Sequence, residues 1–356
     1  MLMNKPQPIR ARACPRCLLC GSEGRLVHLE LHDRLFGAYG TWNLKKCARS
    51  ECGLIWLDPM PLTEDIAKAY ANYYTHAPPR PPTTEPTAGA LRRSYRLMKN
   101  GYLAGKYGYE LGPMTLASRA AGRLMWLVPH RRARLDSEVR RLHAVPGGRL
   151  LDIGCGTGEW LLWMRRLGWQ VEGLDFDERA VKVANQLGLS VRLGSLEQQQ
   201  FPDGTFDAVT MSHVIEHVPD PVHTLRECAR ILSPGGKLFL WTPNARSLGH
   251  RTFGRNWRGL EPPRHLHIFS PRSVRALLSK ADFANTSVCT RNSTSILAAS
   301  MALVSGNPKK ERSLAFITAT KVVTAVLALA EWGALLIDSR VGELLEVQAA
   351  KSSRRE

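Results

Sequence analysis

Three groups of residues in this chain have types and spacings suited to chemistry. The first is Asp152-Ile-Gly-Cys-Gly-Thr-Gly158, an acid followed by glycines at 154, 156 and 158. Glycine is needed where the backbone turns with positive φ, or where a ligand approaches the main chain without meeting a Cβ. A phosphate gains little from a neighbouring carboxylate, whereas an ammonium pairs with it. Asp175 follows about twenty residues on, where an acid accepts hydrogen bonds from both hydroxyls of a ribose. The second group is Ser212, His213, Glu216 and His217. An imidazole changes charge near neutral pH, so His213 is the candidate to take a proton from a hydroxyl, with Glu216 to orient it or act as a second base. His213, Glu216 and His217 also resemble a divalent-metal cluster. The third group is the early cysteines. Cys17-x-x-Cys20-Gly and Cys47-x4-Cys52-Gly form two knuckles that fit a tetrahedral structural zinc site. Cys14 is an alternative to Cys17, and unligated thiols in a degenerate ribbon are the plainer reading.

These residues need elements to hold them. Leu150, Leu151 and Ile153 read as the end of a buried parallel strand, and Glu159 to Leu167 as the helix that follows the glycines. In an open α/β sheet the carboxyl ends of strands bound the ligand crevice, and helix N-termini there favour anionic groups. Gln170 to Asp175 reads as a second strand and Val191 onward as a third. Phe206–Met211 reads as the central fourth strand, whose carboxyl end delivers Ser212 and His213. Pro234-Gly-Gly leads into a fifth. The plainer reading of Asp175 is a cap for the helix over Ala180–Leu187, a role compatible with ligand binding.

The Asp-x-Gly-x-Gly-x-Gly loop, Asp175, the strand ending in Glu216-His-Val-Pro-Asp-Pro and the Pro-Gly-Gly turn resemble the class I S-adenosylmethionine-dependent methyltransferases, in order and spacing, from Gly147 to about Asn244. The fourth strand is similar to that of small-molecule enzymes of the ubiquinone-biosynthesis type. The resemblance implies that Asp152 lies near the methionine amino group and that Gly154, Gly156 and Gly158 wrap the methionine. It further implies that Asp175 holds the ribose and that Phe176 lies against the adenine. The family commonly has an acid after the glycine of the third strand. Here Ser195 stands there, which leaves the adenine contact to Ser195, to backbone near Leu196, or to Glu197. Ser212 completes the implied cofactor set. A tight turn without ligand and a dinucleotide site are the alternatives.

Roughly the first quarter of the chain, where Cys52-Gly-Leu runs through a Pro turn into Ile66-Ala-Lys-Ala-Tyr70 and Tyr73-Tyr74, also resembles the zinc-ribbon module found ahead of some bacterial methyltransferases, in which a Cys-Gly-Leu strand leads into a Pro turn and a short helix ending in tyrosines. After the fifth strand comes Trp257-Arg-Gly-Leu-Glu-Pro-Pro-Arg264-His265-Leu-His267. Loops there roof the site in this fold, and aromatic, basic and polar residues packed into one loop suggest substrate contact. Trp257, Arg264 and His267 are the candidates, with Arg264 able to grip a carboxylate or phosphate. His265 is a second candidate base, with plain loop packing as the alternative.

The expected architecture is α/β: a Rossmann-like doubly wound sheet, a small N-terminal zinc ribbon, and a helical insertion before the last strand. The expected segments are the ribbon module at 1–58, linker and helices at 59–145, the core at 146–292 plus 339–351, and the insertion at 293–338. Pro78–Pro86 reads as a linker, Arg131, Arg132, Arg134, Arg140 and Arg141 as a basic or merely solvated helix face, and Lys351 onward as a solvated tail. The apolar stretch 314–337 reads as packed helix, with docking on a membrane or a lipid substrate as the alternative and a span disfavoured by Lys321 and Glu331.

The chain has 356 residues, with 49 Lys and Arg against 31 Asp and Glu, a formal charge of +18. That balance attracts nucleic acid, anionic membrane or acidic substrates without choosing among them. The polar, basic N-terminus shows no secretory signal, so cytoplasm is expected, and eight cysteines there point to metal or buried thiols. The expected function is methyl transfer from S-adenosylmethionine to an oxygen or carbon of a small or lipid-linked metabolite, such as a sugar, a cell-envelope precursor or a quinone-like acceptor. The rivals are an rRNA or tRNA methyltransferase using ribbon and charge to bind RNA, and a non-catalytic binding module.

Overall fold

The computed structural model describes residues 7–71, 89–304 and 337–352, with 326, 331 and 333–335 between the last two. The linker at 78–86, Tyr73-Tyr74 and most of the apolar stretch 314–337 lie outside the described residues. Among the described residues, no helix is long and apolar enough to cross a membrane.

In chain order the strands are β1 (Ala11–Arg12), β2 (Gly24–Leu31), β3 (Trp42–Cys47), β4 (Ile55–Leu57), β5 (Met60–Pro61), β6 (Arg149–Ile153), β7 (Gln170–Asp175), β8 (Ser190–Leu193), β9 (Phe206–Ser212), β10 (Leu232–Pro243), β11 (His267–Ile268), β12 (Phe283–Arg291) and β13 (Leu344–Lys351). The helices are α1 (Ala90–Tyr107), α2 (Leu116–Leu124), α3 (Pro129–Glu138), α4 (Glu159–Arg166), α5 (Glu178–Gln186), α6 (Pro221–Ile231), α7 (Leu248–Phe253), α8 (Pro271–Lys280) and α9 (Thr294–Val304).

A seven-stranded sheet has the order β12-β13-β10-β9-β6-β7-β8. β6, β7 and β8 pair in parallel, β12 and β13 antiparallel. This is the expected doubly wound α/β sheet. Leu150, Leu151, Leu174, Ala208, Val209, Leu238 and Leu240 are fully buried in it, the continuous apolar pattern of strands covered on both faces. The motif strand, the strand ending in Asp175 and the fourth strand fall where periodicity predicts them. β12 pairs with β13 from Arg291 and Leu344 down to Phe283 and Lys351.

By packing, the chain divides into two compact units: Met1–Tyr74, Met211–Ala229 and Leu240–Glu356 in the first, Thr75–Thr210 and Arg230–Phe239 in the second. In the first unit a four-stranded sheet runs β11-β4-β3-β2. Its β11 comes from the loop after β10, not from the N-terminal segment. His267 and Ile268 pair with Trp56 and Ile55, so a stretch expected to be a free roof loop is a strand. In the second unit α1 and α2 touch backbone to backbone. A Cβ on Gly101 would stand 1.9 Å from the Ser118 carbonyl oxygen, and one on Gly122 would stand 2.4 Å from the Gly101 carbonyl carbon. The helical stretch after Thr115 breaks near Pro129, which opens α3 at its first turn.

The first unit also buries two carboxylates against each other. Glu343, just before β13, accepts hydrogen bonds from the Gly249 amide (2.6 Å) and from Trp257 Nε1 (2.7 Å), and its own amide donates to Glu331 Oε1 (2.9 Å). Burial, then the Glu343 charge, raises the Glu331 carboxyl from 4.5 to about 8. The folded chain therefore retains a proton there that the unfolded chain releases above about 4.5. The stability from this group is full below 4.5 and is lost as pH rises through about 8. Urea unfolding across that window should show the parent losing stability. Glu331→Gln should lack that loss, and above pH 8 it should exceed the parent by on the order of 1–2 kcal/mol.

Candidate functional site

The glycine loop is built from the end of β6. Gly154, Gly156 and Gly158 have φ of +71°, +56° and +76°, so each takes the left-handed turn that a side chain resists. At Gly158 packing adds a second reason, since a Cβ would meet Leu189 Cδ1 at 2.2 Å. At Gly156 a Cβ would meet nothing within 4 Å, so the main chain there faces open space that a ligand can enter. Asp175, at the end of β7, closes the loop. One carboxylate oxygen accepts from the Gly156 amide (2.7 Å), the other from the Asp177 amide (2.9 Å). Each oxygen keeps a further lone pair for an incoming hydroxyl. Burial raises this carboxyl above its usual range, against the pull of those two amides. Asp177, not Asp175, caps α5, accepting from the Arg179 amide. Phe176 is 71% exposed beside it and Leu196 is buried. The Ser195 amide donates to Gln198 Oε1 (2.9 Å).

Asp152 is the acid that the resemblance sets near the methionine amino group. It is buried, and its Oδ1 accepts from the Arg140 guanidinium and from Thr210 Oγ1 (2.7 Å). Arg140 also reaches Thr210 Oγ1 (2.6 Å) and lies 3.4 Å above the Trp160 ring. The carboxylate expected to meet an ammonium is thus already neutralised by a cation of the chain itself. Arg140, expected on a helix face with Arg131, Arg132 and Arg134, is instead a buried partner of the motif acid. No periodicity marks it, because it lies beyond α3 in a turn with φ of +47°.

In the first unit, Ser212 ends β9 and is half-buried. His213 follows with φ of +57°, a left-handed conformation that costs a branched-at-Cβ-free side chain about 1 kcal/mol or more. Its amide donates to the Trp241 carbonyl (2.9 Å), and its Nδ1 lies 3.3 Å from Glu216 Oε1. Its side chain is 44% exposed while that of Glu216 is fully covered. Burial alone would raise the Glu216 carboxyl. The His213 hydrogen bond and the nearby His217 and His265 rings outweigh it and hold the group below the ordinary carboxylate range. Glu216 is therefore a buried anion beside the His213 ring. Glu216, His217 and His265 offer ligand atoms within 4.8 Å of one another. The metal-like cluster thus gathers His265 where the sequence pointed to His213. His217 Nδ1 lies 3.0 Å from the Arg264 carbonyl and 2.9 Å from the Tyr70 hydroxyl. His265 Nδ1 donates to the Gly259 carbonyl at 2.7 Å, and burial lowers this ring to about 4, so it is neutral at pH 7.

The residues expected to meet substrate are mostly buried. Arg264 donates from Nε to Glu261 (2.8 Å) and from one terminal nitrogen to Asp33 and the Ala69 carbonyl (both 2.9 Å). Its side chain has no exposed surface, so this guanidinium serves internal carboxylates rather than a substrate anion. Trp257 is buried and donates to Glu343. His267 is buried in β11, with Nε2 3.4 Å from the Pro219 carbonyl. Asp33 escaped the sequence reading, and no motif or spacing marks it; Glu261, Tyr70 and Thr210 fall in stretches read as the loop after the fifth strand, the helix ending in tyrosines and the fourth strand, without a role of their own.

The cysteines converge as expected. Cys17, Cys20, Cys47 and Cys52 place their sulfurs within 4.8 Å of one another, at 3.7 Å for Cys17–Cys52 and 3.4 Å for Cys20–Cys47. Both knuckles turn on a left-handed glycine, Gly21 and Gly53. Cys14 stands apart, its amide donating to Asp58. Four ionisable sulfurs this close suit a tetrahedral cation with bonds near 2.3 Å.

The Arg140–Asp152 pair gives a direct test of the loop's foundation. Arg140→Met should cost about 3–5 kcal/mol in urea unfolding, because it strands a buried carboxylate. Adding Asp152→Asn should recover part of that loss.

A family model described as a methyltransferase domain matches residues 127–288. A ubiquinone biosynthesis O-methyltransferase of Xanthomonas oryzae pv. oryzae is 47% identical over 118 residues, 31% of this chain and 49% of the relative. Its counterpart in Xanthomonas campestris pv. campestris is 44% identical over 118 residues. The chain thus spans about half the length of the curated relatives it matches. A Thermotoga maritima crystal structure, described as a SAM-dependent methyltransferase and possible histamine N-methyltransferase, is 21% identical, covers 65% of this chain and 96% of its own, and has a TM-score of 0.42. With the glycine loop, Asp175 and the sheet order in place, residues 127–288 carry a class I S-adenosylmethionine-dependent methyltransferase domain.

Proposed function

We propose that this protein transfers a methyl group from S-adenosylmethionine to a hydroxyl oxygen of a small or lipid-linked metabolite. The observation that carries this reading is the glycine loop clamped by Asp175, with open space beside Gly156. The name of the Xanthomonas relatives, O-methyltransferase, favours oxygen over carbon. The cofactor supplies an electrophilic methyl on a sulfonium; the chain supplies its binding, the orientation of the acceptor and a place for the released proton. Asp175 holds the ribose hydroxyls with its remaining lone pairs. Gly154, Gly156 and Gly158 give the methionine portion access to the backbone. Arg140 keeps Asp152 neutralised, so the ammonium is held by other groups than that carboxylate. Phe176 offers an exposed ring to the adenine.

His213 acts as general base. Its Nδ1 faces Glu216, which leaves Nε2 to accept the acceptor's proton and lets the buried carboxylate stabilise the imidazolium that forms. Its position just past the carboxyl end of β9 supports this role, since open α/β sheets bind ligands at that end of their strands. The four cysteines hold a structural zinc ion.

These measurements test the reading. Purified protein and methyl-labelled S-adenosylmethionine, incubated with fractionated extract, should put label into the lipid or small-metabolite fraction. Asp175→Ala should weaken cofactor binding at least tenfold in calorimetry. His213→Ala should leave that binding intact and lower turnover by roughly a hundredfold or more. Label in ribosomal RNA, or full turnover by His213→Ala, contradicts the proposal. Metal analysis should find about one zinc per chain, and Cys20→Ser should lose it together with cooperative unfolding of the N-terminal segment.

A further inference from the structure

The turn from α2 into α3 exposes apolar side chains among arginines. Leu116 is 85% exposed, Leu127 77%, Trp126 53% and Leu124 52%. From Leu111 to Leu135 the sequence has no Asp or Glu, and it places Arg119, Arg123, Arg131, Arg132 and Arg134 there. The guanidinium of Arg132 lies 4.8 Å over the Trp126 ring, whose other neighbours are the Tyr102 ring and Lys106. The supporting hairpin is stiff, because α1 and α2 meet at Gly101 and Gly122 without side chains between them. A capping box of Thr115 and Ser118 fixes the start of α2.

We propose that this face docks on an anionic lipid surface. Exposed leucines and a tryptophan enter the boundary between headgroups and acyl chains, and the arginines meet lipid phosphates. Charge complementarity selects this occupant. A nucleic-acid backbone would pair with the arginines but gain nothing from Leu116 and Leu127, and a neutral bilayer would gain nothing from the arginines. The proposal is independent of the methyl acceptor.

The test is flotation of the full-length protein with phosphatidylcholine vesicles, with and without phosphatidylglycerol. The parent should float with the anionic vesicles, be released by high salt, and ignore the neutral ones. Leu116→Asp with Leu127→Asp should weaken binding at least about tenfold, with unchanged circular dichroism. Replacing Arg119, Arg123 and Arg131 by Gln should weaken it comparably while leaving the leucines in place. Leu29→Asp, on the exposed side of β2, should bind as the parent does. Equal flotation of either face variant, flotation with neutral vesicles, or none with anionic ones overturns the proposal. Loss of ribosomal RNA binding in these variants without loss of vesicle binding overturns it as well.

Discussion

The buried guanidinium of Arg264 is the constraint around which the first unit is arranged. A cation without exposed surface must be paired, or its desolvation would unfold the region. Its partners come from far apart in the chain: Asp33 in the loop after β2, the Ala69 carbonyl, and Glu261 three residues before it. Satisfying that one charge therefore fixes the N-terminal segment against the loop that follows β10. The β4–β11 pairing continues the same junction as a sheet. His265 and the Arg264 carbonyl, which positions His217, hang from this framework. The histidines near Glu216 are thus held by the same groups that hold the N-terminal module.

The second unit solves a different problem. A loop that approaches a ligand closely must do without side chains, and glycines alone would leave it floppy. Here the backbone is fixed from outside. The Asp175 carboxylate takes the Gly156 amide, and Leu174 takes the amides of Gly154 and Cys155. Beneath the loop, Arg140, Asp152 and Thr210 form a closed, charge-balanced set, with Trp160 stacked on the guanidinium. Rigid support under an open main chain is the arrangement that preorganises a binding site.

Both units bury acids, and the neighbours decide what those acids do. Glu216 has imidazoles around it and remains an anion. Glu331 faces another carboxylate and holds its proton. The first is suited to orient a base, the second to join a segment before β13 to the core. Residue type alone predicts neither outcome, since a carboxyl's charge state follows from what surrounds it.

The sequence by itself determined the core sheet, the glycine loop, Asp175, the strand that delivers His213, and the four converging cysteines. These rest on local rules: alternating glycines, continuous apolar strands, knuckle spacings and a proline-started turn. Such rules act over a few residues, so they are written in consecutive letters. The tertiary structure alone decided which charges are available. It turned Arg140 inward onto Asp152, enclosed Arg264 among Asp33 and Glu261, made His267 a strand residue, and brought His265 together with Glu216 and His217 while His213 stays 3.3 Å from Glu216. It also left Leu116, Trp126 and Leu127 in the open. Each of these outcomes depends on partners tens to hundreds of residues away, and on whether water reaches the group. Burial and long-range pairing have no period in the sequence, so only the folded chain could settle them.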